Sequence, residues 1–268
     1  MKIIFKISCV LLMSVMFLSG CATVPITGRK QVVFIPASEL NSLSKDKYQD
    51  IIAKSQLSQD PEKVKMVKGI GSKIAHSAED FLNNNNMPNM FRSFSWEFNL
   101  IEDETANAFA LPGGKVAVYS GILKYTQNQD GLAVVIAHEI AHVIAKHGEE
   151  RMSQMLLAQF GHSVISQAMQ EKGADTQKFL MLAYGVSMNL GVVLPYSRLH
   201  ETEADRIGLI LMAQAGFDPR EAVLFWQRMN NANQGNKKLE FLSTHPAPET
   251  RINDIKVNLP EALKYFNE

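Results

Sequence analysis

Two histidines and one glutamate within five consecutive positions are the residues of this chain best suited to chemistry. His138, Glu139 and His142 form the pattern H-E-x-x-H. On a helix, a spacing of four puts both imidazoles on one face, one turn apart, so that both can bind one metal ion. Glu139 can reach a water bound to that metal, where it would act as general base. The pattern is that of a zinc peptidase.

The residues around this pattern predict a buried helix. The segment 130–151 reads DGLAVVIAHEIAHVIAKHGEER, and apolar side chains flank the motif on both sides. Unpaired polar side chains in a buried helix are costly, and a metal ion would satisfy them. The competing interpretation is a metal-free helix in which the histidines bond to backbone groups and Glu139 pairs with Lys146 or Arg151.

A second acidic segment offers the third protein ligand that a catalytic zinc site needs. Glu201 and Asp205 lie four positions apart, where an apolar helical pattern begins after Pro195. They share one helical face, whereas Glu203 between them points elsewhere. One carboxylate can bind the metal while the other orients a metal-binding histidine. The competing interpretation is a solvated acidic helix start, since Asp and Glu favour the first turn of a helix.

Three motifs in this order resemble a known family. HEIAH at 138–142, PYSRLHETEAD at 195–205 and STHPAPETRI at 243–252 are similar to the motifs of the zinc metallopeptidase family of the CAAX prenyl protease, HtpX and BepA. VPITGRKQ at 24–31 resembles the subgroup related to the mitochondrial overlapping-activity protease. The resemblance runs from about Val24 to Arg251.

This resemblance implies the core of a catalytic site. It makes His138, His142 and Glu201 the ligands of one Zn²⁺ per chain, and Glu139 the catalytic base. A zinc ion held this way acidifies its bound water and polarises the scissile carbonyl.

Three further residues gain roles from the same resemblance. Asp205 matches an aspartate that supports a ligand, and Arg251 matches its partner near the site. His245 matches a loop histidine with two roles that stay open here: a fourth ligand that keeps the enzyme latent, or a group that stabilises the oxyanion. We count Asp205 and His245 with Glu139 among the catalytic groups. The competing interpretation of His245 is a turn residue locked before a proline.

Alternating segments directly before the metal-binding helix predict a small antiparallel sheet. Its strands are expected at Phe94–Ile101, Ala108–Leu111 and Gly114–Ser120. An extended substrate can add to an exposed sheet edge, and the candidate edges are Val116–Tyr119 and Asn107–Leu111.

Most of the remaining chain has helical patterns, and residues 22–45 look extended. The fold class that we predict is α+β: a mainly helical, zincin-like metallopeptidase domain with the small antiparallel sheet before the metal-binding helix. His147 and His200 are placed off the ligand face, His147 as a surface or capping residue. Helices are expected at Pro61–Phe81, Met152–Met169, Phe179–Leu194, Glu203–Ala215, Pro219–Met229 and Glu249–Ile255.

The N-terminus resembles the signal peptide of a bacterial lipoprotein. A basic start and an apolar run lead to Leu18-Ser19-Gly20-Cys21. The run is too short for a membrane span of about twenty residues. We expect cleavage before Cys21, lipid on Cys21, and a position facing the periplasm, at the outer rather than the inner membrane. The competing interpretation is an uncleaved anchor.

Composition limits the partners and the domain organisation. Lys and Arg together number 27, as do Asp and Glu, so no excess charge indicates nucleic acid. Cys9 lies in the segment to be removed, which leaves no disulfide. We divide the chain into a signal peptide (1–20), a lipid-anchored segment (21–60) and a zinc metallopeptidase domain (61–268).

Two main functions remain open at this point. The first is a zinc metalloendopeptidase of the cell envelope that cleaves misfolded or misassembled proteins, with protein or peptide substrates and a membrane attachment through the lipid on Cys21. The second is a non-proteolytic holdase or assembly factor whose zinc site is closed by His245. A hydrolase of small amides is a weaker third interpretation. The sequence does not indicate an oligomeric state.

Overall fold

The computed structural model describes residues 21–85, 87, 90, 93–168, 194–233, 239–245 and 250–266. Four sequence predictions lie wholly or partly outside them: the signal peptide at 1–20, the last residue of the helix Met152–Met169, nearly all of the helix Phe179–Leu194, and the start of the helix at Glu249. The lipid attachment predicted on Cys21 involves a side chain that is likewise outside this description.

The first described residues form a short hairpin and a helix. Strand β1 (Cys21–Thr23) pairs antiparallel with β2 (Lys30–Val32). Helix α1 (Ala37–Lys54) follows, so the prediction of extended chain over 22–45 was wrong from residue 37 onward. This helix begins after Pro36 without a side-chain cap, and few of its side chains are buried. The usual start signal and the apolar periodicity are therefore both weak there.

Helix α2 (Pro61–Asn84) begins where the sequence predicts it. Asp60 caps it, because its carboxylate accepts hydrogen bonds from the backbone N–H groups of Glu62 and Lys63. Pro61 fits the first turn, where its missing N–H has no helical partner to lose. Its apolar face packs on the metal-motif helix and the sheet.

The predicted sheet is present directly before the metal-motif helix. It consists of β3 (Glu97–Ile101), β4 (Ala108–Leu111) and β5 (Lys115–Tyr119) in the order β3-β5-β4. The pair β4–β5 is antiparallel, as predicted, but β3 and β5 run parallel, so the sheet is mixed. The tight turn at Gly113 and Gly114, both with positive φ, places β4 at an edge and β5 in the centre. The candidate edge Asn107–Leu111 is therefore confirmed, and Val116–Tyr119 is not an edge.

The H-E-x-x-H residues lie on α4 (Gln129–Ile144), which follows the short α3 (Leu123–Thr126). Asn128 caps α4 by accepting a hydrogen bond from Gly131 N (2.7 Å). Every side chain from Gly131 to Ile144 is buried, as the apolar flanks of the motif predict.

Helix α6 (Leu194–Gln214) packs against α4 and carries the second acidic segment. The two helices approach closely at Gly208: a Cβ there would lie 3.2 Å from the backbone of Ala137 and His138. This approach brings the first turns of α6 beside the metal-motif histidines.

The remaining helices surround this pair, and the predicted α+β fold class is confirmed. In the described part of the chain, no helix has both the length and the apolar character that a bilayer crossing requires. The remaining helices around α4 and α6 are α5 (His147–Ala168), α7 (Glu221–Asn233), α8 (Glu240–Thr244) and α9 (Arg251–Ala262).

Candidate active site

Four buried side chains from three elements converge on one point. His138 and His142 extend from α4, Glu201 from α6, and His245 follows the end of α8. His138 Nε2 lies 3.1 Å from His142 Nε2 and 3.1 Å from Glu201 Oε2. His245 Nδ1 lies 3.2 Å from His138 Nε2 and 3.1 Å from Glu201 Oε2. The structure therefore brings together residues that are 107 positions apart in the chain.

Asp205 and Arg251 support this cluster from behind. His138 Nδ1 donates to Asp205 Oδ1 (2.9 Å), because a carboxylate only accepts, and this bond turns His138 Nε2 toward the cluster. Arg251 donates two 2.7 Å hydrogen bonds to Asp205. Its guanidinium stacks 3.5 Å above the ring of Trp226.

The charge balance at this point favours a bound cation. Burial lowers the pKa of His138, but its hydrogen bonds with Asp205 and Glu201 outweigh burial and raise that pKa to about 9. Burial alone would raise the pKa of Glu201, yet the surrounding histidines hold it well below its usual value. The cluster thus needs positive charge near His138 Nε2, and either a proton or a metal ion can supply it.

The spacing of the donor atoms fits a metal. A tetrahedral zinc site with metal–nitrogen bonds of 2.0–2.1 Å separates its ligand atoms by roughly 3.4 Å. Five donor pairs here span 3.1–3.4 Å, and all four donor groups lie within 4.8 Å of one another. Burial lowers the pKa of His142 well below its ordinary value, which keeps this imidazole neutral, as a metal ligand must be.

Glu139 lies beside the donor cluster and faces a cleft. Its Oε1 is 3.2 Å from His245 Nε2, so His245 contacts the donor cluster through one ring nitrogen and Glu139 through the other. The cleft has a volume of about 190 Å³ and is lined by Phe109 and Ala110 of β4 as well as by Glu139 and His142. A substrate in this cleft would meet both the carboxylate and the edge of the sheet.

The prediction that His147 is a surface or capping residue was wrong. His147 is fully buried, and its Nδ1 lies 2.8 Å from His142 Nδ1. The cause is Lys146, whose φ of 56° breaks the helix between α4 and α5 and turns His147 back toward His142. Extrapolating one continuous helix cannot find such a contact.

His200 lies outside the donor cluster, as expected, but it is buried and hydrogen-bonded to Glu150 (2.8 Å). Its ring stacks on His147 with centroids 4.2 Å apart. No local sequence pattern indicates this pair, because the two residues are 53 positions apart on separate helices.

Comparison with known proteins defines the class of this chain. The profile of peptidase family M48 matches residues 71–258. The chain belongs to peptidase family M48. The suspected family is thereby confirmed.

Several curated relatives carry this class in their names. The chain is 44% identical to the mitochondrial metalloendopeptidase OMA1 of Schizosaccharomyces pombe over 62% of its own length and 48% of the relative's. It is 30% identical to metalloendopeptidase OMA1 of Bos taurus over 95% of its length and 49% of the relative's. It is 31% identical to a putative beta-barrel assembly-enhancing protease of Vibrio cholerae over 74% of its length and 39% of the relative's. The chain thus spans about half the length, or less, of these relatives.

Proposed function

We propose that this protein is a zinc-dependent metalloendopeptidase with one Zn²⁺ per chain. The observation that carries the proposal is the buried donor cluster with Glu139 beside it in a cleft. His138, His142 and Glu201 are the zinc ligands. Asp205 and Arg251 hold His138 with its Nε2 lone pair toward the ion.

The proposed peptide hydrolysis needs a zinc ion and a proton transfer by Glu139. Bound zinc would supply a Lewis acid for the scissile carbonyl and lower the pKa of water. Glu139 accepts the proton of the attacking water and passes it to the leaving amine. Burial suits this role, since a carboxylate shielded from bulk water keeps its proton for the amine.

The edge strand β4 suits an extended substrate. Tyr119 N donates to Asn107 O (3.0 Å), so by antiparallel alternation Phe109 and Leu111 bond toward β5. The N–H and C=O of Ala110 then point away from β5. Ala110 also lines the cleft, so a peptide strand paired with it would pass Glu139.

We infer that the arrangement seen here is latent. His245 presents a fourth donor to the ligand cluster and contacts Glu139 with its other nitrogen. A catalytic zinc site keeps one position open, whereas four protein ligands make a closed, structural site. Withdrawal of His245 would open the fourth position and release Glu139. The other role that the family resemblance allows for His245, stabilising the oxyanion, predicts instead that His245→Ala cleaves more slowly than the wild type.

We further propose a cell-envelope location. The lipoprotein signal at 1–20, with lipid on Cys21, would anchor the protein at the periplasmic face of a membrane, the outer membrane being favoured. The metallopeptidase domain would follow from residue 61. The substrate class is misfolded or misassembled envelope proteins, in keeping with the name of the Vibrio cholerae relative.

The closed donor set also favours a second candidate function. A holdase or assembly factor would use the cleft and the β4 edge to bind unfolded chains while His245 permanently completes the metal site. It predicts bound metal without turnover, whether or not His245 is present.

The test is cleavage of unfolded casein by the full-length protein in detergent, with bound zinc quantified. Glu139→Gln is expected to keep its zinc and to lower turnover by roughly 10²- to 10⁴-fold. His245→Ala is expected to keep zinc and to cleave faster than the wild type. Glu240→Gln makes the same chemical change at an exposed position near His245 and should match the wild type.

The outcomes separate the two functions. Full activity in Glu139→Gln would refute the assigned base. Bound zinc with no turnover in the wild type and in His245→Ala would favour the holdase.

A further inference from the structure

A chain of polar groups leads from the half-buried Thr27 and Arg29 in the N-terminal segment, through buried side chains, to the metal-motif helix. Thr27 Oγ1 donates to Glu203 Oε1, and Arg29 Nε donates to Glu203 Oε2 (2.8 Å). Glu203 Oε2 in turn accepts from His147 Nε2 (3.0 Å), and His147 Nδ1 lies 2.8 Å from His142 Nδ1. The catalytic roles proposed above use neither His147 nor Glu203.

The carboxylate of Glu203 sets the direction of the hydrogen bonds along this chain for a His147 ring that carries one proton. A carboxylate can only accept, so the proton between Glu203 and His147 is on His147 Nε2. A neutral His147 then has a lone pair on Nδ1, which must accept the N–H of His142 Nδ1. The remaining nitrogen of His142, Nε2, is left with its lone pair toward His138 and Glu201. The chain therefore selects the tautomer of His142 that can bind a metal.

The position of Glu203 depends on the N-terminal segment. Arg29 forms a fork that donates to Glu203 and, with 3.0 Å and 2.7 Å bonds, to Glu150. Glu150 also accepts from His200, whose ring stacks on His147. Glu203, Glu150 and His200 are all buried, so Arg29 is the cation that balances two carboxylates packed around His147.

We propose that Thr27 and Arg29 are positioning residues of the metal site. They hold Glu203, Glu203 fixes His147, and His147 keeps His142 in the metal-binding tautomer. The inference rests on the proposed zinc site. Thr27 and Arg29, a few residues after Cys21, would thus influence metal affinity through Glu203 and His147, although neither contacts a proposed ligand.

The test measures the zinc dissociation constant by chelator competition, with full-length protein in detergent well below its unfolding temperature. Arg29→Met is expected to weaken zinc binding roughly 10- to 100-fold, the usual effect of losing groups that orient ligands. Thr27→Val removes only one hydroxyl donor, keeps the shape of the side chain, and is expected to weaken binding roughly two- to tenfold. Arg29→Lys keeps the charge without the fork and should fall between the wild type and Arg29→Met.

Arg206→Met is the matched control. Arg206 lies on α6, the helix that carries Glu203. It donates two hydrogen bonds to Glu261 on α9 (2.8 Å and 3.0 Å) and does not touch the His147 chain. Its zinc affinity should equal that of the wild type. If Arg29→Met fails to fold, Thr27→Val decides the question.

A spectroscopic readout separates positioning from general stability. Long-range ¹H–¹⁵N spectra of the zinc-free protein should show His142 as the Nδ1–H tautomer in the wild type and as a mixture in Arg29→Met. Zinc affinity within twofold of the wild type in folded Arg29→Met and Thr27→Val would overturn the inference, as would an unchanged tautomer. Since zinc affinity is measured without substrate, zinc binding with no casein cleavage in either the wild type or His245→Ala would refute the proposed function alone.

Discussion

Two arginine–carboxylate pairs join α6 to α9, and they differ mainly in burial. Asp205 with Arg251 is nearly inaccessible, with exposed side-chain fractions of 7% and 3%. Arg206 and Glu261 are about one third exposed, at 34% and 37%. Each arginine donates through Nε and a terminal nitrogen, at 2.7–3.0 Å. Replacing each arginine by methionine therefore compares the loss of a buried arginine–carboxylate pair with the loss of a partly exposed one between the same two helices.

The expected losses of unfolding free energy differ several-fold. Arg251→Met leaves the buried Asp205 carboxylate with the N–H of His138 but without its arginine. It also removes the 3.4 Å contact with Glu201 and the stacking on Trp226. Breaking a buried ion pair costs about 3–5 kcal/mol. Arg206→Met breaks a screened pair, which costs at most about 1 kcal/mol. At roughly 2–4 °C per kcal/mol for a domain of this size, Tm should fall by about 6–20 °C in Arg251→Met and by no more than about 4 °C in Arg206→Met.

The assay is urea unfolding followed by circular dichroism in the presence of EDTA, so that metal binding does not add to the measured stability. Adding Asp205→Asn to Arg251→Met should recover part of the loss, because no unpaired charge is then buried. The loss in Arg206→Met should shrink at high salt, whereas the loss in Arg251→Met should not. A loss below about 1 kcal/mol in Arg251→Met, or equal losses at both positions, would refute this account of the site's support.

Two further substitutions test the packing around the site. Glu149 is buried with one carboxylate oxygen unpaired among the described residues, and burial raises its pKa above the usual 4.5. The native state therefore loses stability as pH rises from 4.5 through that raised pKa. Glu149→Gln should remove this decline and raise the free energy of unfolding in urea at pH 8 by about 1–3 kcal/mol. No gain relative to the exposed Glu240→Gln would contradict this reasoning. Gly208→Ala should lower stability by about 1–3 kcal/mol, because its Cβ would press on the backbone of α4 at 3.2 Å. Gly69→Ala on α2 meets open space and should instead gain up to about 1 kcal/mol from helix propensity; equal signs at the two glycines would contradict the close approach of α4 and α6.

The sequence predicts best where a single element determines the geometry. Spacing on one helix was enough to put His138 and His142 on a common face, and the same rule paired Glu201 with Asp205 while directing Glu203 elsewhere. The apolar flanks predicted the burial of α4. The convergence of α4, α6 and the residue after α8 depends on tertiary packing, and only family resemblance supplied it in advance.

Other contacts were out of reach for local patterns. His147 meets His142 because one residue, Lys146, takes a positive φ, a conformation that its side chain does not signal. Strand β3 pairs with β5 rather than with its neighbour in sequence, because the turn at Gly113 and Gly114 joins β4 to β5 first. Periodicity indicates that a strand exists, but it does not indicate its neighbour.

The N-terminal segment shows how composition and tertiary contacts can give different pictures of one region. Residues 21–60 read as a tether, since they lack the dense apolar pattern of α4. Yet Val24 lies in the main hydrophobic core, and Tyr48 donates a buried hydrogen bond to Val116 O (2.7 Å) in the central strand. Arg29 reaches Glu203, 174 positions away. Such contacts each involve one side chain, so they leave no periodic trace. Together they connect the segment that bears the predicted lipid to the sheet and to α6, the helix that carries Glu201.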